Sequence, residues 1–299
     1  MGYKCVVLIK QVPDTKRITG EVMNNDGTVR RSALPAIFNP EDLNALELAL
    51  QIKDKFGGHI TVITMGLPAA GVVLRDSLFR GADDAILITD PRCAASDTLA
   101  TSYILSCAVK KLNYDIVLCG RQAIDGDTAQ VGPQLAEKLG IPQITYVEEL
   151  IELSARTITA QRNIGNGWQQ VKTTLPVLLT VTGDANEPRV AAAKKIMKYK
   201  NALTPIEVGQ KSEPRTSVRG ADLIEQKCSE LSNKGLLIKQ WDLDFIEADL
   251  NWCGQSGSPT KVHRIQSVVL AAKESKNIEP TQNGIAGLVH ELIEDKIIA

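Results

Sequence analysis

The sequence predicts an α/β fold: a mainly parallel, doubly wound sheet followed by an extended C-terminal arm. Three observations carry this. Short apolar runs alternate with helical patterns up to about residue 140, the pattern of a parallel sheet with helices on both faces. The core is aliphatic: hydrophobic residues make up 43% of the 299 and aromatics only 4%, which suits strands buried on both sides. Beyond residue 208 the regular pattern gives way to a polar stretch with Pro and Gly at 209–220. That stretch divides the chain into a domain at 1–208 and a linker with arm at 209–299.

Residues 4–10 (KCVVLIK) read as the first strand, and 20–31 as a hairpin with turn chemistry at Asn25-Asp26-Gly27. Asn39 and Pro40 then open a helix to about Lys55, Asn as cap and Pro in the first turn. Residues 59–65 (HITVITM) form a buried strand closed by Gly66, 69–80 a helix ended by Gly81, and 85–89 (AILIT) the next strand. Ser96 caps a helix to about Leu112, with Asp97 favourable in its first turn. A strand at 115–119 (DIVLC) stops at Gly120, and a helix from about Ala129 stops at Gly140. After Pro142 the period becomes strand-like over 144–153, 156–163 and 168–174, with a turn at Gly165-Asn166-Gly167. Residues 176–182 (PVLLTVT) read as a last core strand. In the arm, 221–234 reads as a helix and 235–265 has no firm period. Residues 284–298 carry an amphipathic stripe of Ile285, Leu288, Val289, Leu292, Ile293 and Ile297.

Net charge is −1, from 34 basic and 35 acidic residues, which leaves no electrostatic footprint for nucleic acid or an anionic membrane. No window offers eighteen uninterrupted apolar residues, and the N-terminus lacks the pattern of a signal peptide. The six cysteines (Cys5, Cys93, Cys107, Cys119, Cys228, Cys253) form no C-x-x-C pair and fit no zinc or iron–sulfur spacing. Buried, reduced thiols in a cytoplasmic protein are expected. His59, His263 and His290 lie far apart, so no metal site is expected. There is no G-x-G-x-x-G after the first strand, no P-loop and no G-x-S-x-G, and no catalytic residue is assigned.

In an open parallel sheet a ligand binds beyond the carboxyl ends of the strands, where connections leave to opposite faces. Three loops there are candidates. Residues 8–14 (LIKQVPD) place Lys, Pro and Asp after a strand; taken alone, a strand ending in a turn is the simpler reading. Asn39-Pro40-Glu41-Asp42 opens a helix whose free N–H groups suit phosphate, a property that every helix shares. Residues 120–133 (GRQAIDGDTAQVGP) are too polar and Gly-rich for core. Gly126 and Gly132 permit close backbone approach. Thr128, Gln130 and the amides of 129–132 suit a pyrophosphate, while Asp125 and Asp127 suit the hydroxyls of a ribose or flavin tail. The competing reading is a capped strand-to-helix loop with Asp127 as N-cap.

At this loop the sequence becomes recognisable. VLIKQVPD at 7–14, NPEDLNALE at 39–47 and above all GRQAIDGDTAQVGPQLAE at 120–137 resemble the electron-transfer flavoprotein β subunit. NEPR at 186–189 followed by IMKYK at 196–200 is similar to that family's recognition segment, and GQSGSPTKV at 254–262 to its C-terminal arm. The resemblance covers about residues 1–265 and leaves 266–299 as an extension. It implies an adenine-nucleotide-binding, Rossmann-like fold paired with a larger α subunit that carries an electron-transferring FAD. In plain members the β subunit holds a structural AMP. In the flavin-bifurcating branch it holds a second FAD. That FAD takes hydride from NADH and sends one electron to ferredoxin or flavodoxin. The other passes through the α-subunit FAD to a partner dehydrogenase.

Residues 125–133 look like the bifurcating version. The AMP version carries a bulkier acidic residue where Gly126 stands, and Cys-Asn where Thr128-Ala129 stand. The resemblance therefore implies FAD, with AMP as the alternative and NADH as electron donor. Position by position, the implied contacts are Leu8, Asn39, Asp42, Met65, Asp125, Gly126, Asp127, Thr128, Ala129, Gln130, Val131, Gly132, Pro133 and Gln134. The implied partner-binding residues are Glu187, Pro188, Arg189, Val190, Ala193 and Lys194. Ala193 departs from the family pattern, which presents a Leu there to anchor an acyl-CoA dehydrogenase. The smaller side chain forfeits on the order of 2 kcal/mol of burial. The expected partner is then a flavin dehydrogenase, either of hydroxy-acid type or of acyl-CoA type gripped through Val190. A nucleotide-sensing or ATP-using domain of the same fold is the reading from a different class; the long arm, suited to wrapping a partner, argues against it.

Overall fold

The computed structural model describes residues 2–14, 35–211, 218–260 and 277–294; the predicted hairpin at 20–31 lies outside them. The chain enters at β1 (Tyr3–Leu8), whose last four residues are buried. The strand expected to reach Lys10 stops at Leu8, because the chain turns there and pairs again as β2 (Gln11–Pro13) with β3 (Ala36–Phe38) in a small antiparallel ribbon. There follow α1 (Pro40–Phe56), β4 (Gly58–Met65), α2 (Gly71–Arg80), β5 (Asp84–Ile88), α3 (Thr98–Lys110), β6 (Ile116–Gly120) and α4 (Val131–Leu139). Then come β7 (Gln143–Leu153), β8 (Thr157–Asn163), β9 (Trp168–Thr174) and β10 (Val177–Val181). The remaining elements are α5 (Ala193–Tyr199), α6 (Pro205–Lys211), α7 (Val218–Asn233), β11 (Lys239–Trp241) and α8 (Gln282–Glu294).

Nine strands form one sheet in the order β11-β5-β4-β1-β6-β10-β7-β8-β9. Every pairing from β11 to β7 is parallel, and β7, β8 and β9 close the far edge as an antiparallel meander. The predicted mainly parallel α/β fold is what forms. Successive side chains of a strand point to opposite faces, and the core divides accordingly. Val7, Val62, Leu118 and Leu179 pack with Leu46 of α1 and Leu74 of α2 on one face. Val6, Ile63, Ile86 and Val117 pack with Ile104 of α3 and Leu135 of α4 on the other. The chain starts mid-sheet, winds outward through β4 to β5 on one side of β1, then crosses to β6 on the other. The connections part company between β1 and β6, where such sheets form their ligand crevice.

Local differences from the sequence reading have physical causes. α3 is capped by Asp97, whose carboxylate accepts the N–H of Ala100, while Ser96 turns its hydroxyl to the carbonyl of Cys93. The polar stretch at 209–220 is partly helical: α6 runs to Lys211 and α7 starts at Val218. Downstream of it, β11 joins the sheet beside β5. The chain then folds back onto the β5–α3 connection, where the N–H of Asp97 donates to Ser258 and the N–H of Thr260 donates to Asp97. Gly254, at φ +57°, lies so close that a methyl group there would come within 2.2 Å of the Arg92 carbonyl oxygen. Among the described residues no helix is long and apolar enough to cross a membrane.

Candidate nucleotide site

A cavity of about 420 Å³ opens at the carboxyl ends of β1, β4, β5 and β6, within the size range of small-ligand sites. The first turn of α1 builds its floor. Asn39 occupies the N-cap position but makes no capping bond. Its amide instead donates to the Gln122 carbonyl at 2.9 Å, and its Oδ1 accepts the Ile124 N–H at 3.1 Å. Glu41 accepts the Gln122 N–H at 2.9 Å and pairs with Arg121 at 2.8 Å. Asp42 accepts the Lys10 N–H at 2.8 Å and the Gly120 N–H at 2.9 Å, which ties the end of β1 to the end of β6. Burial pushes the Asp42 carboxyl up to about 7, against the N–H donors of Gly120 and Lys10 and the Asn39 side chain, which favour the charged form.

With residues 120–124 pinned, the rest of the β6–α4 loop stands over the cavity. Asp127 (φ 48°) and Ala129 (φ 54°) have positive φ, the kind of backbone geometry from which concavities of successive amides are built. Gln130 is the N-cap of α4 and makes no side-chain cap. Asp127 is therefore not the N-cap; its Oδ1 accepts from Gln122 Nε2 at 3.0 Å. Among the described residues, no protein acceptor takes the N–H groups of 128–132. Gly132 lets this helix start sit close to the sheet: a methyl group there would lie 2.7 Å from Thr180 Cγ2 and 2.9 Å from Cys119 Sγ.

The opposite wall is the β5–α3 connection and the start of α3: Cys93, Ala95, Ser96, Asp97, Thr98 and Thr101. Thr98 donates its hydroxyl to Gln130 Oε1 at 2.9 Å and accepts from Gln134 Nε2 at 3.3 Å, which joins the two walls. Burial pushes the Cys93 thiol up to about 12, with Asp90 adding to it, so this wall carries a protonated thiol.

Of the expected contacts, Leu8, Asp42, Met65 and all of 126–132 line the cavity. Asn39 stands behind the wall it positions, Asp125 is held by Lys10 at 2.7 Å, and Pro133 and Gln134 lie in the first turn of α4 without lining the cavity. Sequence reasoning missed the 93–101 wall, since a short connection followed by an ordinary helix carries no ligand signature of its own. The expected partner segment lies elsewhere, braced against α1 and α2. Arg189 pairs with buried Glu47 at 2.8 Å and with Asp54 at 2.8 Å, and Arg80 donates to the Arg189 carbonyl. Val190 is 85% exposed, and Glu187, Ala193 and Lys194 are exposed as well.

The electron transfer flavoprotein domain model matches residues 26–204. A Clostridium acetobutylicum electron transfer flavoprotein subunit beta is 39% identical over 98% of this chain and 99% of its own length. The chain belongs to the electron transfer flavoprotein β-subunit family. Members of this family pair with an α subunit and with dehydrogenases. The chain is also similar to the protein FixA of Bradyrhizobium diazoefficiens, 35% identical over 95% of this chain and 89% of that one. An acryloyl-CoA reductase electron transfer subunit gamma of Anaerotignum propionicum is 46% identical over 64% of this chain and 72% of its own. The family match takes in most of the cavity, from the first turn of α1 through the 126–132 loop, and ends just past the 187–194 segment.

Proposed function

We propose that this β subunit works in a flavin-bifurcating electron-transfer flavoprotein and holds FAD in the cavity at the ends of β1 and β6. One observation carries the nucleotide site: five successive amides, 128–132, line that cavity at an uncapped helix start without a protein acceptor, and the resemblance of residues 125–133 to the bifurcating version favours FAD over AMP there. Such a donor set suits a diphosphate, because the amides and the positive end of α4 act together. Gly126 fits it too, since a methyl group there would meet no atom within 4 Å and the turn stays open. A bound FAD would supply hydride acceptance from NADH and single-electron transfer, one electron toward ferredoxin or flavodoxin and one through the α-subunit FAD toward a dehydrogenase.

The chain's own residues bind and orient. Asp42 keeps two strand ends in register, Leu8, Ile63 and Met65 supply apolar walls, and the Thr98–Gln130 bond holds the two sides together. The 187–194 segment docks a flavin dehydrogenase, and the arm beyond residue 208 contacts the α subunit. The alternative is a plain carrier with AMP in the same amide cradle and no reaction with NADH. Nucleotide extraction from the purified heterodimer separates the two. About two FAD per heterodimer, with bleaching by NADH, is expected; one FAD with one AMP overturns the bifurcating reading and supports the plain carrier.

A further inference from the structure

Lys10 follows β1 and lines the cavity beside the 126–132 loop. Its backbone N–H is fixed by Asp42, so the side chain swings from an anchored root. Its ammonium lies 2.7 and 2.9 Å from the two oxygens of Asp125, 115 residues further along the chain. The pair is solvent-exposed, the Lys10 side chain at 48% and that of Asp125 at 18%. The other cation lining the cavity among the described residues is Arg121. Arg121 is committed to Glu41 at 2.8 Å and lies over the Tyr146 ring at the edge of a separate cleft. Asp42 and Asp97, the carboxylates lining the cavity beside Asp127, already accept backbone N–H groups. A polyanion entering this cavity therefore meets neutral amides, occupied carboxylates and one ammonium whose partner is a part-exposed carboxylate on the same loop.

We infer that Lys10 is the counter-ion for the phosphates of the bound nucleotide, and that Asp125 stands in for those phosphates until the ligand displaces it. This rests on the nucleotide reading above and assigns Asp125 to the latch rather than to a direct contact. A part-exposed ion pair is cheap to break. The ammonium gains by exchanging a monoanion for a diphosphate inside a cavity that screens it less than open water does. Lys10 thereby selects for phosphorylated ligands, and Asp125 keeps the cation in place in their absence.

The test uses the α/β complex with its displaceable nucleotide removed, titrated calorimetrically with ADP and with adenosine. Lys10→Met is expected to weaken ADP binding about tenfold, with a smaller salt dependence, and to leave adenosine unchanged. Asp125→Asn is expected to tighten ADP binding about two- to fivefold, because the ammonium no longer has to be freed. ADP affinity unchanged in Lys10→Met, or weakened in Asp125→Asn, overturns the latch while leaving the nucleotide site standing. A wild-type complex that binds neither ligand overturns the site and the latch together.

Discussion

The Asp42 carboxylate accepts the N–H of Gly120 at 2.9 Å, and a methyl group on Gly120 would lie 2.6 Å from that same oxygen. A residue of the first helix and a residue of the fourth strand of the parallel core are thus packed at the closest approach the backbone allows. The carboxylate between them also holds the end of the first strand.

Gly120→Ala forces that contact apart. The added methyl group would also meet the Asp42 nitrogen at 2.8 Å, so main chain has to move. Thermal or denaturant unfolding is expected to show a loss of about 1–3 kcal/mol. Wild-type stability in this variant would show that the two elements are free to shift.

Asp42 also sets a pH dependence. Its folded pKa is raised by burial to about 7, above the ordinary carboxylate value of about 4. The folded state therefore holds a proton that the unfolded chain has released. The Asp42 contribution to stability is fully present below about pH 4 and is lost as pH rises through about 7. Asp42→Asn is expected to flatten this part of the profile, so that the variant gains on the wild type between pH 5 and 8. Parallel melting curves across that range would contradict the assignment.

Ala129 holds a left-handed conformation at φ 54°, which costs a non-glycine residue on the order of 1 kcal/mol. Ala129→Gly removes that strain and partly returns the gain through a more disordered unfolded chain. The expected net is a stabilisation of up to about 0.5 kcal/mol, read by chemical denaturation. A loss larger than 1 kcal/mol would mean that the Ala129 side chain makes a contact of its own.

Arg189 and Val190 are neighbours with opposite expected roles. Removing Arg189 leaves buried Glu47 without its cation. Arg189→Ala is expected to cost about 1–3 kcal/mol, discounted from the fully buried case because the arginine is a third exposed. Val190→Ala is expected to leave stability within about 0.5 kcal/mol while slowing electron exchange with the dehydrogenase. Unchanged exchange kinetics would remove Val190 from the docking surface.

The strand–helix alternation, the strands at 59–65 and 85–89, and the long polar loop after Gly120 were legible because each rests on local pattern or turn chemistry. Other features are tertiary and leave no local trace. β11 is three residues long, and only its parallel partner makes it a strand. Asn39 has the residue type and the position of a helix cap, yet a loop 83 residues away competes successfully for its side chain. Arg189 carries no sequence sign of the ion pair it makes with Glu47 on the helix beneath, because that carboxylate lies 142 positions earlier in the chain. At the site, chemistry pointed to the loop with donors to spare. The facing wall at 93–101 shows only ordinary helix-capping residues, whose place beside that loop is decided by the order of the strands.

That strand order has a kinetic corollary. Half of the cradle comes from chain emerging before residue 106, the other half from residues 119–132, and Asn39 and Asp42 clasp the two halves across about eighty positions. A growing polypeptide cannot hold its ligand until the crossover from β5 to β6 is complete. The cavity is thereby a product of the threaded sheet and of no single segment, and it exists only once the strands stand in their final order.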